Sequence, residues 1–217
     1  MFKDRIDAGY ALAERLSKYQ GTDSIVLAIP KGGVPIGYIV ANELGLPLEP
    51  IFAKKIGHPG HKEYAIGAVS TWGSFVLPHS GVPESYIREE TARIEAYLKQ
   101  MQNTYMSGYF PTQLKGKTVI VIDDGIATGN TLLATINTLK QQRPAKIIVA
   151  VPVSTASGYD LLSGHCDELI SVIIEKQHFY GVGAYYHNFS DVSQDEVVYY
   201  LDKNRKKCER LHKNQPA

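Results

Sequence analysis

Thr118-Val119-Ile120-Val121-Ile122-Asp123-Asp124-Gly125-Ile126-Ala127-Thr128-Gly129-Asn130-Thr131 is the stretch on which the fold turns. Four consecutive apolar residues after Thr118, without polar alternation, read as a strand buried on both faces, as in a parallel sheet. An acidic pair ends the strand, a Gly/Thr loop follows, and 131–142 has helical spacing. Such a strand delivers its loop to the carboxyl edge of an α/β sheet, where ligands bind. Gly125 and Gly129 let backbone N–H groups converge on an anion, the following helix N-terminus adds positive partial charge, and Thr128 and Thr131 bring hydroxyls. A phosphate monoester suits that nest. Asp123 and Asp124 are then placed to accept hydrogen bonds from a sugar diol attached to the phosphate. A plain strand–turn–helix with a capping Asp would use the same turn residues, but it gives no reason for two adjacent carboxylates. Neither GxxxxGK[ST] nor GxGxxG occurs here, which sets aside the Walker and Rossmann readings.

The same alternation extends outward. Phe2, Ile6, Gly9, Leu12, Ala13 and Leu16 recur at helical spacing, predicting an amphipathic helix over 2–18. Strands are expected at 24–29, 48–53, 146–151 and 168–174, and helices at 35–44, 85–105 and 156–163, with a last helix closing the chain. This predicts one α/β domain over 1–217, a mainly parallel sheet with helices on both faces. From 54 to about 83 no period persists, and Gly, Pro and His are frequent. A loop that long in a compact domain is usually functional or mobile. A flexible loop is therefore expected at about 55–83, with 55–72 as a lid that would draw Lys54, Lys55 and Lys62 toward a ligand. The competing expectation is a hairpin packed permanently on the sheet, with Tyr64, Ile66 and Val69 as its apolar face.

The chain has 217 residues and 44% hydrophobic content, enough for a real core. A formal net charge of +1 gives no reason to expect nucleic acid or an anionic membrane as partner. The Lys/Arg-rich stretch 203–213 reads as a solvated helix end. No run approaches the ~18 apolar residues of a membrane span, and Met1-Phe2-Lys3-Asp4-Arg5 has no secretory apolar core. Cys166 and Cys208 show neither metal nor CxxC spacing, which suits a reducing compartment. The expected location is cytoplasmic and the expected partners are small molecules.

The string from Val119 to Thr131 resembles the signature with which type I phosphoribosyltransferases bind 5-phosphoribosyl-1-pyrophosphate (PRPP), in the Ala-Thr-Gly form of adenine and orotate enzymes. Ala28-Ile29-Pro30-Lys31-Gly32-Gly33 resembles the family's pyrophosphate loop, which often carries a strained peptide, and Lys54-Lys55-Ile56-Gly57 resembles the basic pair that reaches the same group. Ile-Pro-Lys-Gly-Gly-Val-Pro, Lys-Lys-Ile-Gly-His-Pro-Gly and Glu-Tyr-Ala-Ile-Gly-Ala together look like an uncharacterised bacterial phosphoribosyltransferase group. The resemblance implies a flavodoxin-like core with a small hood from the N-terminal segment, the C-terminal segment at about 175–200, or both. It implies displacement of pyrophosphate from PRPP by a nucleobase-like acceptor. Mg2+ would be held mainly through substrate and water, near Asp123 and Asp124. Asp123, Asp124 and Lys55 would be the catalytic contacts. Gly125, Ala127, Thr128, Gly129, Asn130 and Thr131 would bind the 5-phosphate, and Lys31, Gly32, Gly33, Lys54 and Lys55 the pyrophosphate. A homodimer is compatible with it.

Outside the signature the residues read two ways. Lys31 beside Gly32-Gly33 is a cation next to approachable backbone, or an exposed Lys in a βα turn. Lys54 and Lys55 could be merely solvated, and the resemblance singles out Lys55. His58 and His61 have no nearby third ligand, so a closing loop is the simpler reading than a transition metal. Glu63 is an acid/base candidate or an exposed Glu. Phe179-Tyr180-Gly181-Val182-Gly183-Ala184-Tyr185-Tyr186 could stack a nucleobase, with Phe179, Tyr180 and Val182 as contacts, or could pack as aromatic core. It loosely resembles the purine-contacting segment of hypoxanthine-guanine enzymes, with His187 where an acid is usual. Those enzymes also place an acidic residue, proposed as a base, at the position of Ala127. A non-catalytic PRPP- or nucleotide-binding regulator is therefore the rival function. A phospho-receiver domain fits poorly, because its acidic pair belongs at the first strand.

Overall fold

The computed structural model describes residues 1–77, 81–106 and 111–213, with backbone only at 62–64 and 211–213. The chain opens with α1 (Arg5–Arg15), where Asp4 accepts hydrogen bonds from the amides of Ile6 and Asp7 and so caps the first turn. β1 (Ser24–Ala28), α2 (Gly33–Leu44) and β2 (Leu48–Pro50) form a βαβ unit. Next come β3 (Ala53–His58), β4 (His61–Ser70), β5 (Gly73–Val76) and the long α3 (Glu84–Tyr105). The rest alternates: β6 (Thr118–Ile122), α4 (Asn130–Lys140), β7 (Lys146–Thr155), α5 (Ala156–Ser163), β8 (Glu168–Glu175) and α6 (Gln194–Lys213).

Five strands form one parallel sheet in the order β2-β1-β6-β7-β8. Counted within the sheet this is the flavodoxin-like order, and the winding reverses between β1 and β6. Val26, Ala28, Ile120, Ile122, Ile148 and Ala150 face one core with residues of α1, α2 and α6. Ile25, Leu27, Val119, Val121, Ile147 and Val149 face the other, beneath Leu132, Ile136 and Leu139 of α4 and Leu162 of α5. Both faces of β6 are dry, so its sequence shows no alternation. Each buried Val or Ile contributes about 1.5–3 kcal/mol relative to an exposed one.

The stretch without a sequence period is largely a second sheet, antiparallel, in the order β3-β4-β5. Its register shifts between Ile56 and Gly57 and again between Gly57 and His58, which erases the alternation a strand would show. Ile56, Ile66 and Val69 are buried with Ile94 and Leu98 of α3, α4 packs against β3 and β4, and Gln142 donates to the Trp72 carbonyl at 2.6 Å. Of the hairpin's expected apolar face, Ile66 and Val69 are buried. The side chains of Lys62, Glu63 and Tyr64, on which the lid and acid/base readings partly rest, lie outside the described residues. The first helix begins three positions later than expected, because Phe2 is bridged to Tyr186 instead. Among the described residues no helix is long and apolar enough to cross a membrane.

Candidate active site

The winding reversal opens a crevice at the carboxyl ends of β1 and β6, and two loops meet in it. After β1 the Ile29 amide donates to the Ile122 carbonyl at 2.8 Å, the Pro30–Lys31 peptide is cis, and α2 starts at once at Gly33. A Cβ placed on Gly32 would lie 1.9 Å from Oδ2 of Asp124, and one on Gly33 would lie 2.7 Å from the Ile122 carbonyl oxygen. Only glycines allow the loop and the acidic pair to come this close. Lys31 stands exposed beside them.

The loop after β6 is fixed by β7, which runs past the end of β6. Ile126 donates to the Val153 carbonyl at 2.8 Å and accepts from the Thr155 amide at 2.9 Å. The Thr155 hydroxyl donates to the Ala127 carbonyl at 2.6 Å while accepting from the Gly158 amide at 2.9 Å. Gly129 takes a φ of +78° and hands the chain to α4. Ala127, Thr128, Asn130 and Thr131 are exposed, and the first-turn amides of α4 have no intrahelical acceptor. Together they form the anion-receptive end of the crevice.

Between the loops lies the acidic pair. Oδ1 of Asp123 accepts from the Asp124 amide at 2.8 Å. Oδ2 of Asp124 accepts from Arg5, at 3.0 Å from Nη2 and 3.3 Å from Nε. The Arg5 guanidinium lies 3.9 Å from the centre of the Phe189 ring, and its Nη1 donates to the Ser190 carbonyl at 2.8 Å. Tyr186 donates to the Asp124 carbonyl at 2.8 Å. Burial, with the neighbouring charge of Asp124 added, pushes the Asp123 carboxyl well above the ordinary range. Burial also raises Asp124, while Arg5 pulls it back. No group of three His, Cys, Asp or Glu residues among the described residues could hold a metal. The site therefore offers no all-protein magnesium cage. The pair's oxygens other than Oδ2 of Asp124 fit beside an ion that keeps substrate oxygens and water as its main ligands.

The segments before α1 and after β8 roof this crevice together. Phe2 donates to the Tyr185 carbonyl and accepts from the His187 amide, and Asn188 donates to the Lys3 carbonyl, each at 2.9 Å. Val182 sits over Gly125, where an added Cβ would lie 2.6 Å from its Cγ1. Phe179, partly buried, stacks on Tyr185 at 5.8 Å, and Tyr186 is buried against Phe2 and Phe189. Tyr180 is 85% exposed. Glu175 ends β8 by accepting from the amides of Gln177 and His178 and from the Tyr185 hydroxyl, which lowers its carboxyl to about 2.

The basic pair of β3 diverges. Lys54 lies 4.8 Å from the Tyr97 ring centre on α3, and strand alternation sends Lys55 to the opposite face. His58 Nδ1 accepts from the Gly60 amide at 3.1 Å.

A family model of the phosphoribosyl transferase domain matches residues 3–189. The chain belongs to that family. The architecture is the expected type I phosphoribosyltransferase fold. The solved structure of TT1426 from Thermus thermophilus superposes with a TM-score of 0.86 at 33% identity, covering 93% of this chain and 98% of that one. A Mycobacterium tuberculosis relative (Rv0571c in strain H37Rv), named a candidate phosphoribosyl transferase, is 33% identical over 94% of this chain and 47% of its own length. The chain thus spans about half the length of the curated relatives it first matches. The uracil phosphoribosyltransferase of Mycoplasma genitalium is 26% identical over 73% of this chain and 70% of its own. Sequence reading missed Arg5, Thr155 and Phe189, and took Tyr186 only as part of the aromatic segment. Arg5, Tyr186 and Phe189 carry no spacing signal, because each reaches the site through tertiary pairing, and Thr155 leaves only the local mark of a helix cap.

Proposed function

We propose that this protein transfers the 5-phosphoribosyl group from PRPP to a nucleobase-like acceptor with release of pyrophosphate, in a Mg2+-dependent reaction. The observation that carries the reading is the contact of Gly32 with Asp124, which sets a diphosphate-type loop and a diol-type acidic pair side by side. On this reading Gly125 and residues 127–131 hold the 5-phosphate, and Asp123 and Asp124 accept the ribose hydroxyls. Lys31, Gly32, Gly33, Lys54 and Lys55 face the leaving pyrophosphate, and Lys54 lines a cavity with Ile29 and Pro30 of that loop. When bound with PRPP, Mg2+ supplies neutralisation of the diphosphate charge. The chain's own contribution is positioning and leaving-group electrostatics around an oxocarbenium-like centre. The acceptor lies beside Phe179, Val182 and the exposed Tyr180, under a hood built by both chain segments. Small molecules are its partners, and a cytoplasmic setting suits two free cysteines.

Ala127 brings no carboxylate, so proton removal falls to another group or the acceptor needs none. The same residue suits a PRPP-binding regulator, and turnover separates the two. Purified protein with PRPP and magnesium is to be screened against a nucleobase panel that includes uracil, the base in the name of the Mycoplasma relative, with pyrophosphate release as readout. Release that requires PRPP, magnesium and one base is expected. PRPP binding without turnover on any base would favour the regulator. Ligand at about 100 times its Kd adds about 2.7 kcal/mol to stability, so an unmoved Tm in millimolar PRPP would sink both readings.

A further inference from the structure

Arg5 is a cation that the PRPP signature does not contain. It opens α1, where the helix dipole disfavours positive charge, so helix stability does not explain it. Its side chain is only 11% exposed and is fixed on every side. Two of its nitrogens donate to one oxygen, Oδ2 of Asp124, at 3.0 and 3.3 Å. A third donates to the Ser190 carbonyl at 2.8 Å, and its flat face lies 3.9 Å from the Phe189 ring centre. A Cβ on Gly32 would come 3.3 Å from Nε, so the pyrophosphate-type loop, the guanidinium and Asp124 share one small space.

We propose that Arg5 is a positioning residue for the sugar: by engaging Oδ2 it fixes the Asp124 carboxylate so that Oδ1 is presented to the ribose hydroxyls. This rests on the PRPP reading above. It differs from a role in which Arg5 merely staples α1 to the 188–190 segment.

Calorimetry on the full chain with ribose 5-phosphate and 2-deoxyribose 5-phosphate separates the two. The wild type should prefer the ribose form by about tenfold or more, the worth of a hydrogen bond to a charged acceptor. In Arg5→Met the preference should fall close to one, with binding of inorganic phosphate unchanged. Arg5→Lys should retain part of it. Asp124→Asn should abolish it, and should add nothing in the Arg5→Met background. A preference kept intact in Arg5→Met, with only a lower Tm, overturns the proposal. If Arg5→Met does not fold, an undiminished preference in Arg5→Lys overturns it. Wild-type protein that binds neither sugar phosphate overturns the PRPP reading itself, and this inference with it.

Discussion

Gly32 and Asp124 cannot both keep their places if residue 32 gains a side chain, because the new Cβ would stand 1.9 Å from Oδ2. The carboxylate cannot simply swing aside, since Arg5 holds that same oxygen. Gly32→Ala should therefore cost about 1–3 kcal/mol in chemical denaturation, the usual range for overpacking. It should also lower PRPP affinity about tenfold or more through the displaced Asp124. Gly33→Ala meets backbone, 2.7 Å from the Ile122 carbonyl oxygen, and should be the more destabilising of the two. Equal stability of both variants and wild type would mean that the loops are not in contact.

Asp123 is held against its own charge. Its carboxyl is raised by burial and by Asp124, so between the unfolded value and the raised one the folded chain binds more protons than the unfolded chain. Stability of the free protein must then fall as pH rises through that window. Asp123→Asn removes the charge and should raise Tm at neutral pH by a few degrees, on the order of 2–4 °C per kcal/mol for a chain of this size. The gain should shrink at pH 5. PRPP binding should be lost in the same variant, and a gain that is the same at both pH values would contradict the stated cause.

Asp124→Asn should reduce transfer about 10–100-fold, through loss of a charge-assisted diol contact. Thr128 is exposed in the anion loop, so Thr128→Val should weaken the 5-phosphate contact and leave Tm unchanged. Wild-type kinetics in both variants, measured with the true acceptor, would remove this loop from the site.

Tyr180 is 85% exposed, so Tyr180→Ala should move stability by no more than about 0.5 kcal/mol. The expected effect is a higher KM for the acceptor with PRPP affinity intact. A reduced PRPP affinity would place the ring on the wrong side of the site.

Hydrogen exchange tests the β3-β4 hairpin. Amides in the regular ladder, where Ala53 pairs with Ser70 and Lys55 with Ala68, should be protected in the free protein. Amides near Gly60, beyond the register shifts, should exchange quickly alone and slow with PRPP and magnesium if the hairpin tip closes as a lid. Equal protection of the tip in both states would leave no lid.

Legibility followed the physics of each segment. β6 and α5 lie at the bounds read from the sequence, because a strand dry on both faces and a helix capped by Thr155 leave local marks. The acidic pair and its glycines were legible for the same reason: the chemistry sits in consecutive residues. β3 to β5 were not. Register shifts around Gly57 break the period that would have shown them. Arg5 was not legible either, since one Arg at the start of an amphipathic helix has no sequence link to Asp124. Only the pairing of Phe2 with Tyr186 brings it there.

Arg5 and Ser190, joined by a hydrogen bond, stand 185 positions apart. A ribosome making this chain releases β1, β2, β6, β7 and the anion loop well before residue 190, and β8 shortly before it, so these strands can pair while the roof of the crevice is still missing. Until that later segment emerges, Asp123 and Asp124 lack their cover, and Arg5 lacks the ring and carbonyl that hold it in place. The site is thus completed after the sheet beneath it, and a nascent or shortened chain that stops at β8 would carry the signature without the finished crevice.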